Sequence, residues 1–296
     1  MQNQQLHHAL AAKLQASFDH ILNNPDLRAP KDDLLIINTL KAQGISQYGV
    51  WKTRRIHAWQ CTCNPFRALR PERSSKAPFS GLKQPFNDDA FHFSKAFLRA
   101  EILSTETFEE TDLQIMYQKF PFAPYHLLIV IDAAQKKAQF LDEKTHQMIW
   151  NLALHIETHI SGFGLSYNSL GAGASVNQLH IHGFINQDSF AIEQNSWAHN
   201  GGRENYPLAV ERFRSARAAW EKINQFHTLK QAYNLLYRAG VCYLIPRKPQ
   251  GSVTSAKWLG NMSWYEACGN FNLSEEDYFT RLNSNDIYSA LKEYSV

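Results

Sequence analysis

The apolar positions of this chain follow two periods, and the switches between them outline its elements. Over residues 5–23, Leu6, Leu10, Leu14, Phe18, Ile21 and Leu22 recur at helical spacing and predict an amphipathic helix. DDLLIINTLKAQ follows at 32–43 and ends before Gly44. FLRAEILS at 97–104, LQIMYQKF at 113–120 and YHLLIVID at 125–132 read as strands. DEKTHQMIWNLALHIETHI at 142–160 gathers Met148, Ile149, Leu152 and Ile156 on one side, with Asp142 placed as an N-cap, and predicts a helix. GFGLSYNSLG and SVNQLHIHGFI then predict two strands around a Gly/Ala turn. Residues 186–206 are polar, contain Gly201-Gly202 and read as a loop, and PLAVERFRSARAAWEKINQF at 207–226 reads as a helix that starts at Pro207.

Strands that look antiparallel in pairs, a long helix and two more strands favour an α+β fold over a doubly wound parallel sheet. AYNLLYRAGVCYLIPRK at 232–248 echoes PYHLLIVIDAAQKKAQFL at 124–141, which points to a duplicated unit. The second copy has no strand with paired histidines and is therefore expected to be structural. Between 64 and 90 the chain is rich in Pro, Ser and Arg and reads as an irregular crossing segment. Arg67, Arg70, Arg73 and Lys76 recur there, and read as a solvated basic loop of which a minority could face an anion.

One stretch breaks the usual strand pattern. In GASVNQLHIHGFI, at 173–185, alternation places Gln178, His180, His182 and Phe184 on one face and Leu179, Ile181 and Ile185 on the other. The second face packs on a core. The first carries imidazoles straight after a run of small residues. An imidazole held on a rigid strand can attack a phosphoryl group and form a covalent intermediate. The charge on that phosphate needs donors, and backbone N–H groups of NSLGAGAS at 168–175 can approach it closely where Gly173 and its small neighbours leave room. Asn168, Ser175 and Gln178 add side-chain donors, and His182 can stabilise the anion or protonate a leaving group. The competing reading is a pair of histidines on the solvated face of an edge strand.

Composition narrows the partners. With 44% hydrophobic residues in a chain of 296, a sizeable core is affordable to the fold, and general disorder is not expected. A net charge of +3 is too mild to argue for nucleic acid, whereas a small phosphorylated ligand needs only a local positive patch. Four cysteines, at 61, 63, 242 and 268, do not make a disulfide scaffold. The start has no secretory pattern and no apolar run is long enough for a membrane span, so a cytoplasmic protein without a membrane partner is expected. HxH is also a metal-ligand spacing, and His57, Cys61 and Cys63 could add zinc ligands; this reading stands behind a metal-free one. HIETH at 155–159 is not a zinc-protease motif, and the chain has no P-loop, dinucleotide fingerprint or GxSxG elbow.

The histidine strand resembles the histidine-triad superfamily of nucleotidyl hydrolases and transferases. Its three alternating polar positions follow a serine by three residues, which here runs from Ser175 to Gln178, His180 and His182. KFPFAPYHLLIVID resembles that family's supporting strand. YNSLGAGASVNQLHIHGF, PFNDDAFHFSK at 85–95, AYNLLYRAGVCYLIPRK and WYEACGNF narrow the resemblance to the uridylyltransferase and phosphorylase branch, and within it to the GDP-hexose phosphorylases. The resemblance implies an α+β histidine-triad-like antiparallel sheet with a long helix. It implies an N-terminal segment over 1–60, a catalytic half over 61–200, and a C-terminal helix with a second, structural half over 201–296. It further implies that His180 attacks the α-phosphorus of an NDP-hexose, with GDP-glucose the leading candidate, and expels hexose 1-phosphate. Inorganic phosphate then takes the nucleotidyl group off His180. His182 would hydrogen-bond the phosphate, Asn168 and Ser175 would hold its oxygens, and Gln118 stands near the position of a ribose contact. Gln178 departs from the family, which usually has histidine there, and glutamine cannot become cationic or hold zinc well. No resident cofactor is implied, and a homodimer is compatible with the resemblance. Hydrolysis of nucleotide sugars or dinucleoside polyphosphates, and nucleotide binding without turnover, are the alternatives.

Overall fold

A computed structural model describes residues 2–27, 29, 31–42, 44–49, 51–64 and 79–296. Arg67, Arg70, Arg73 and Lys76 lie outside the described residues. Helices α1 (Gln2–Asn23) and α2 (Lys31–Ala42) lead into the hairpin β1 (Lys52–Ile56) and β2 (Trp59–Cys63). β3 (Ile102–Phe108), β4 (Thr111–Tyr117) and β5 (Leu127–Ile131) precede α3 (Glu143–Glu157), β6 (Phe163–Asn168) and β7 (His180–Ile185). β8 (Glu211–Phe213), α4 (Ala216–Leu229), β9 (Tyr233–Arg238) and β10 (Val241–Pro246) follow. The chain closes with α5 (Trp264–Ala267), β11 (Asn270–Leu273), α6 (Glu276–Arg281) and α7 (Ser284–Glu293).

Eight strands form one antiparallel sheet in the order β3-β4-β5-β7-β6-β9-β10-β8, and β1, β2 and β11 form a smaller sheet. The order exposes the duplication: β5-α3-β6-β7 recurs as β8-α4-β9-β10, reversed about the β6–β9 seam as a two-fold relation requires. Leu165↔Tyr237 through Asn168↔Asn234 pair across that seam. The topological counterpart of 232–248 is thus the β6–β7 hairpin, not the 124–141 stretch its sequence echoes. The two hairpins differ where it matters. Residues 169–179 connect β6 to β7, while only Ala239 and Gly240 connect β9 to β10, with Gly240 in the left-handed region at φ 72°. A two-residue turn leaves the second half without a counterpart of the 169–179 connection.

Strand alternation assigns the two faces of the large sheet different partners. Leu179, Ile181 and Ile185 pack with Ile129, Leu165, Leu235 and Leu244 under α3 and α4. α1 and α2 continue that helical layer, closing Leu14, Phe18, Ile36 and Leu40 over Tyr117, Phe120 and Leu127. On the opposite face Phe184, Leu236, Tyr243 and Ile245 pack against Trp59, Phe271 and Leu291 of the small sheet and C-terminal helices. Truncating a buried aromatic such as Phe184 to Ala costs about 3–5 kcal/mol by this accounting. His180 and His182 share that second face, where its cover is incomplete.

Three predicted elements change. FLRAEILS begins as a 3-10 turn over Ala96–Glu101, and its strand starts only at Ile102. The helix expected from Pro207 starts at Ala216, where Ser215 accepts the Ala218 N–H as N-cap; the residues before it alternate and pair with β10 as an edge strand. Residues 186–206 are a loop as read, with 3-10 turns at Ala191–Glu193 and Ala198–Asn200, but Phe190, Ile192, Trp197 and Tyr206 enter the core. Asn200 Nδ2 donates to the Ile192 and Gln194 carbonyls and so satisfies their backbone. HAWQCTC folds as the β1–β2 hairpin with Cys61 in the core, its thiol pushed up to about 12 by burial.

Two histidines tie the helical layer to the sheet. His146 donates through Nε2 to the Ala216 carbonyl at 3.0 Å and lies 2.8 Å from the Tyr237 hydroxyl; His227 lies 2.8 Å from the Tyr233 hydroxyl. Burial pulls both down from 6.5 to about 4. Below pH 6.5 the unfolded chain protonates both rings while the folded chain does not, so stability falls as pH drops from about 6.5 towards 4. Urea melts over that range are expected to show uptake of roughly two protons on unfolding, and His146→Gln is expected to flatten the profile by about one.

Candidate active site

The site begins where a ladder fails. β6 and β7 pair from Phe163↔Ile185 to Ser166↔His182 and no further. Beyond that point the buried amide of Gln139 stands between the strands. Its Nε2 donates to the Asn168 carbonyl at 2.9 Å and the His180 carbonyl at 3.1 Å, and its Oε1 accepts the His180 N–H at 2.9 Å. Gln139 is itself held, since Tyr167 donates to its carbonyl and its N–H donates to Asn177 Oδ1. The strands therefore splay, and residues 169–179 form the turn between them. Gly171 and Gly173 adopt φ of 78° and 97° there. A Cβ on Gly173 would also lie 3.0 Å from the Met262 carbonyl oxygen and from Ser263 Cα.

The two histidines of β7 are held by opposite partners. His180 Nδ1 lies 2.6 Å from the Gln178 carbonyl, which can only accept, so the proton sits on Nδ1 and the lone pair on Nε2. His126, fully buried just before β5, accepts the Phe122 N–H on Nδ1 at 3.3 Å. Its proton is therefore on Nε2, which donates to His182 Nδ1 at 3.0 Å. His182 in turn carries its own proton on Nε2. One ring presents a nucleophilic lone pair and the other a donor.

A cleft of about 390 Å³ is lined by His180, His182, Asn168, Gly173, Ser175 and Gln118. The sequence had singled out these six, and Gln178, also singled out, does not line the cleft. Asn168 Oδ1 accepts from Asn234 Nδ2 at 2.6 Å and the Trp264 N–H at 2.9 Å, so it offers the cleft its Nδ2–H groups. Asn234 also donates to the Ala172 carbonyl, and the Gln250 N–H donates to the Gly171 carbonyl at 2.7 Å. Gln178 stands just before β7. Its Oε1 accepts the Phe93 N–H at 2.7 Å and its Nε2 donates to Ser94 Oγ at 3.0 Å. It thereby holds Phe93, whose ring meets the His180 imidazole edge-on at 4.9 Å. Gln178 acts through Phe93 and positions the His180 ring.

Sequence reasoning missed Gln139, Asn234 and the wall built from residues 250–263. Only His126 had a visible signal, a histidine immediately before an apolar strand. Among the described residues no three His, Cys, Asp or Glu side chains gather as a metal-ligand group.

Nitrogen-15 NMR is expected to find the Nδ1–H tautomer for His180 and the Nε2–H tautomer for His126 and His182. In His126→Phe the His182 ring is expected to lose its single tautomer while His180 keeps its own. Gln139→Met leaves an N–H and two carbonyls unpaired and is expected to lower stability by about 1–3 kcal/mol or more, read from denaturant melts.

Comparisons with known proteins place the fold. Residues 57–184 match the family model described as "GDPGP1-like, N-terminal domain". No curated protein matches the sequence. Among solved structures, yeast Ap4A phosphorylase Apa2 superposes with a TM-score of 0.57 at 15% identity, covering 97% of this chain and 94% of that one. The same yeast enzyme in complex with Ap4A superposes at 0.57 and 14% identity, covering 90% and 98%. The matched segment holds β2 to β7 and with them both histidines, His126, Gln139 and the turn. The histidine-triad-like resemblance read from the strand therefore stands: residues 57–184 are similar to the GDPGP1-like N-terminal domain, and the chain shares its fold with yeast Ap4A phosphorylase Apa2.

Proposed function

We propose that the chain is a nucleotidyltransferase of the phosphorylase type that splits an NDP-hexose, GDP-glucose first among them, with inorganic phosphate. The observation that carries the reading is the paired tautomer assignment on β7: His180 Nδ1–H on a carbonyl, and His182 Nε2–H at the end of a buried donor chain. In the first step His180 Nε2 attacks the α-phosphorus and forms a P–N bond. The bond from that phosphorus to the bridging oxygen breaks, and hexose 1-phosphate leaves with the electron pair. In the second step an oxygen of inorganic phosphate attacks the same phosphorus, the P–N bond breaks, and the nucleoside diphosphate is released. His182 Nε2–H, Asn168 Nδ2–H and Ser175 hold the phosphoryl oxygens as they become equatorial. Splitting one displacement into two lets one lone pair serve both directions of transfer.

The family match supports a hexose nucleotide, and the fold neighbours support phosphorolysis, since Apa2 is a phosphorylase seen with Ap4A and with AMP. A dinucleoside polyphosphate is for that reason the second substrate to assay. GDP-glucose with phosphate is expected to give GDP and glucose 1-phosphate, and no GMP. GMP formed without phosphate would identify a hydrolase, and nucleotide binding with no turnover would identify a binding protein. His180→Ala is expected to lower turnover by at least about 10³-fold, with far-UV dichroism and melting temperature retained. Acid-labile nucleotidyl label is expected on the wild type and absent from that variant, and full activity of the variant would overturn the assignment.

A further inference from the structure

Two charged side chains in the cleft have no part in the chemistry above. Glu101 and Lys119 form an ion pair of 2.7 Å with side chains only 11% and 16% exposed, and both line the cleft wall. Desolvating two charges costs several kcal/mol per ion, and a well-packed apolar pair would often be at least as stable. Their place in the sheet suggests what they are for. His182 pairs with Leu128, Leu128 with Met116, and Met116 with Ile102, the residue after Glu101. That line crosses from β7 to β3 in three strand steps, about 14 Å of backbone at ~4.8 Å each. The histidines stand at one end. In the middle Leu128, Met116 and Leu98 make an apolar floor edged by Phe91 and Phe93. Gln118 lines the cleft beside Lys119, and the ion pair stands at the far end.

A nucleoside monophosphate has the same order of chemistry: an anion, sugar hydroxyls, a flat aromatic ring, and a polar base edge. We infer that Glu101 and Lys119 read the base edge and select guanine, an inference that rests on the nucleotide reading proposed above. The Glu101 carboxylate accepts from guanine N1–H and the 2-amino group, and the Lys119 ammonium donates to O6. Adenine reverses this edge. Its N1 lone pair would face the carboxylate and its 6-amino group the ammonium, an acceptor against an acceptor and a donor against a donor in a largely buried place. Sites built to hydrogen-bond a group reject an analogue lacking it far better than apolar pockets reject a size difference.

Calorimetry with GMP, IMP and AMP on the full chain tests this without requiring turnover. GMP is expected to bind about 10-fold tighter than IMP, which lacks the 2-amino group, and about 100-fold or more tighter than AMP. Glu101→Gln is expected to weaken GMP by about 10- to 100-fold while changing AMP by less than about 3-fold. Because that variant leaves Lys119 without its counter-charge, the double variant Glu101→Gln/Lys119→Met is measured beside it and is expected to lose the guanine preference too. GMP and AMP binding equally to the wild type would overturn the base reading and leave the nucleotide reading intact, as would an unchanged GMP-to-AMP ratio in both variants. Failure of all three nucleotides to bind would overturn both.

Discussion

The site depends on one side-chain amide that takes the place of a strand. In an antiparallel ladder a residue opposite His180 would exchange N–H and carbonyl with it. Gln139 makes that exchange with its amide, and the same Nε2 also reaches the Asn168 carbonyl. Backbone groups at this buried point must be paired, and a plain β-hairpin would pair them by closing. With Gln139 in the gap they are paired while the strands stay apart. The opening this creates is where the 169–179 turn sits, and hence where a phosphate can lie against backbone N–H groups. Rigidity and access, which a sheet normally trades against each other, are both kept.

The duplicated half explains why the turn holds its shape. Its β10 strand carries no histidine and its hairpin no long loop, yet it supplies Asn234 beneath Asn168 and Ala172, and the segment after it supplies the Trp264 N–H on Asn168 and the Gln250 N–H on Gly171. Each bond comes from across the β6–β9 seam or from the segment after β10. Met262, whose carbonyl Gly173 approaches, is in turn fixed by the buried Arg247, which donates to it at 2.6 Å and lies over the Tyr294 ring. The end of the C-terminal helix thus reaches the 169–179 turn through three successive contacts. The first half carries the two histidines and the long turn, and the C-terminal half both braces that turn and adds a wall of the cleft.

What the sequence revealed and what it hid divide along the range of the interaction. The β7 strand, its two faces, the Gly/Ala turn and the Asp142 cap were legible, because alternation, small residues and capping act within a few positions. The fold class followed from the order of such segments. Gln139 and Asn234 were not legible, since a glutamine or asparagine near a strand end has the same local appearance whether it faces water or fills a ladder. The helix at 207–226 was placed too early for a related reason: VERFR carries charges compatible with a helix surface, and only pairing with β10 draws it into an edge strand. Register in the echo failed similarly, because β-strands of the same core share composition without sharing position.

The division of roles between His180 and His182 follows from the same nonlocal logic. The residues are identical, two apart on one strand and on one face, so neither propensity nor pattern separates them. A carbonyl beneath one Nδ1 fixes a proton there and leaves the lone pair on the far nitrogen. A donor beneath the other Nδ1 fixes the proton on the far nitrogen. The first is supplied by the chain's own backbone at Gln178. The second requires His126, which requires the Phe122 N–H, so the donor character of His182 originates two hydrogen bonds away in the loop before β5. Exchanging acceptor for donor at either Nδ1 would give the cleft two lone pairs or two donors, and nucleophilic transfer needs one of each. The strand supplies two equivalent rings, and what lies beneath each makes them different.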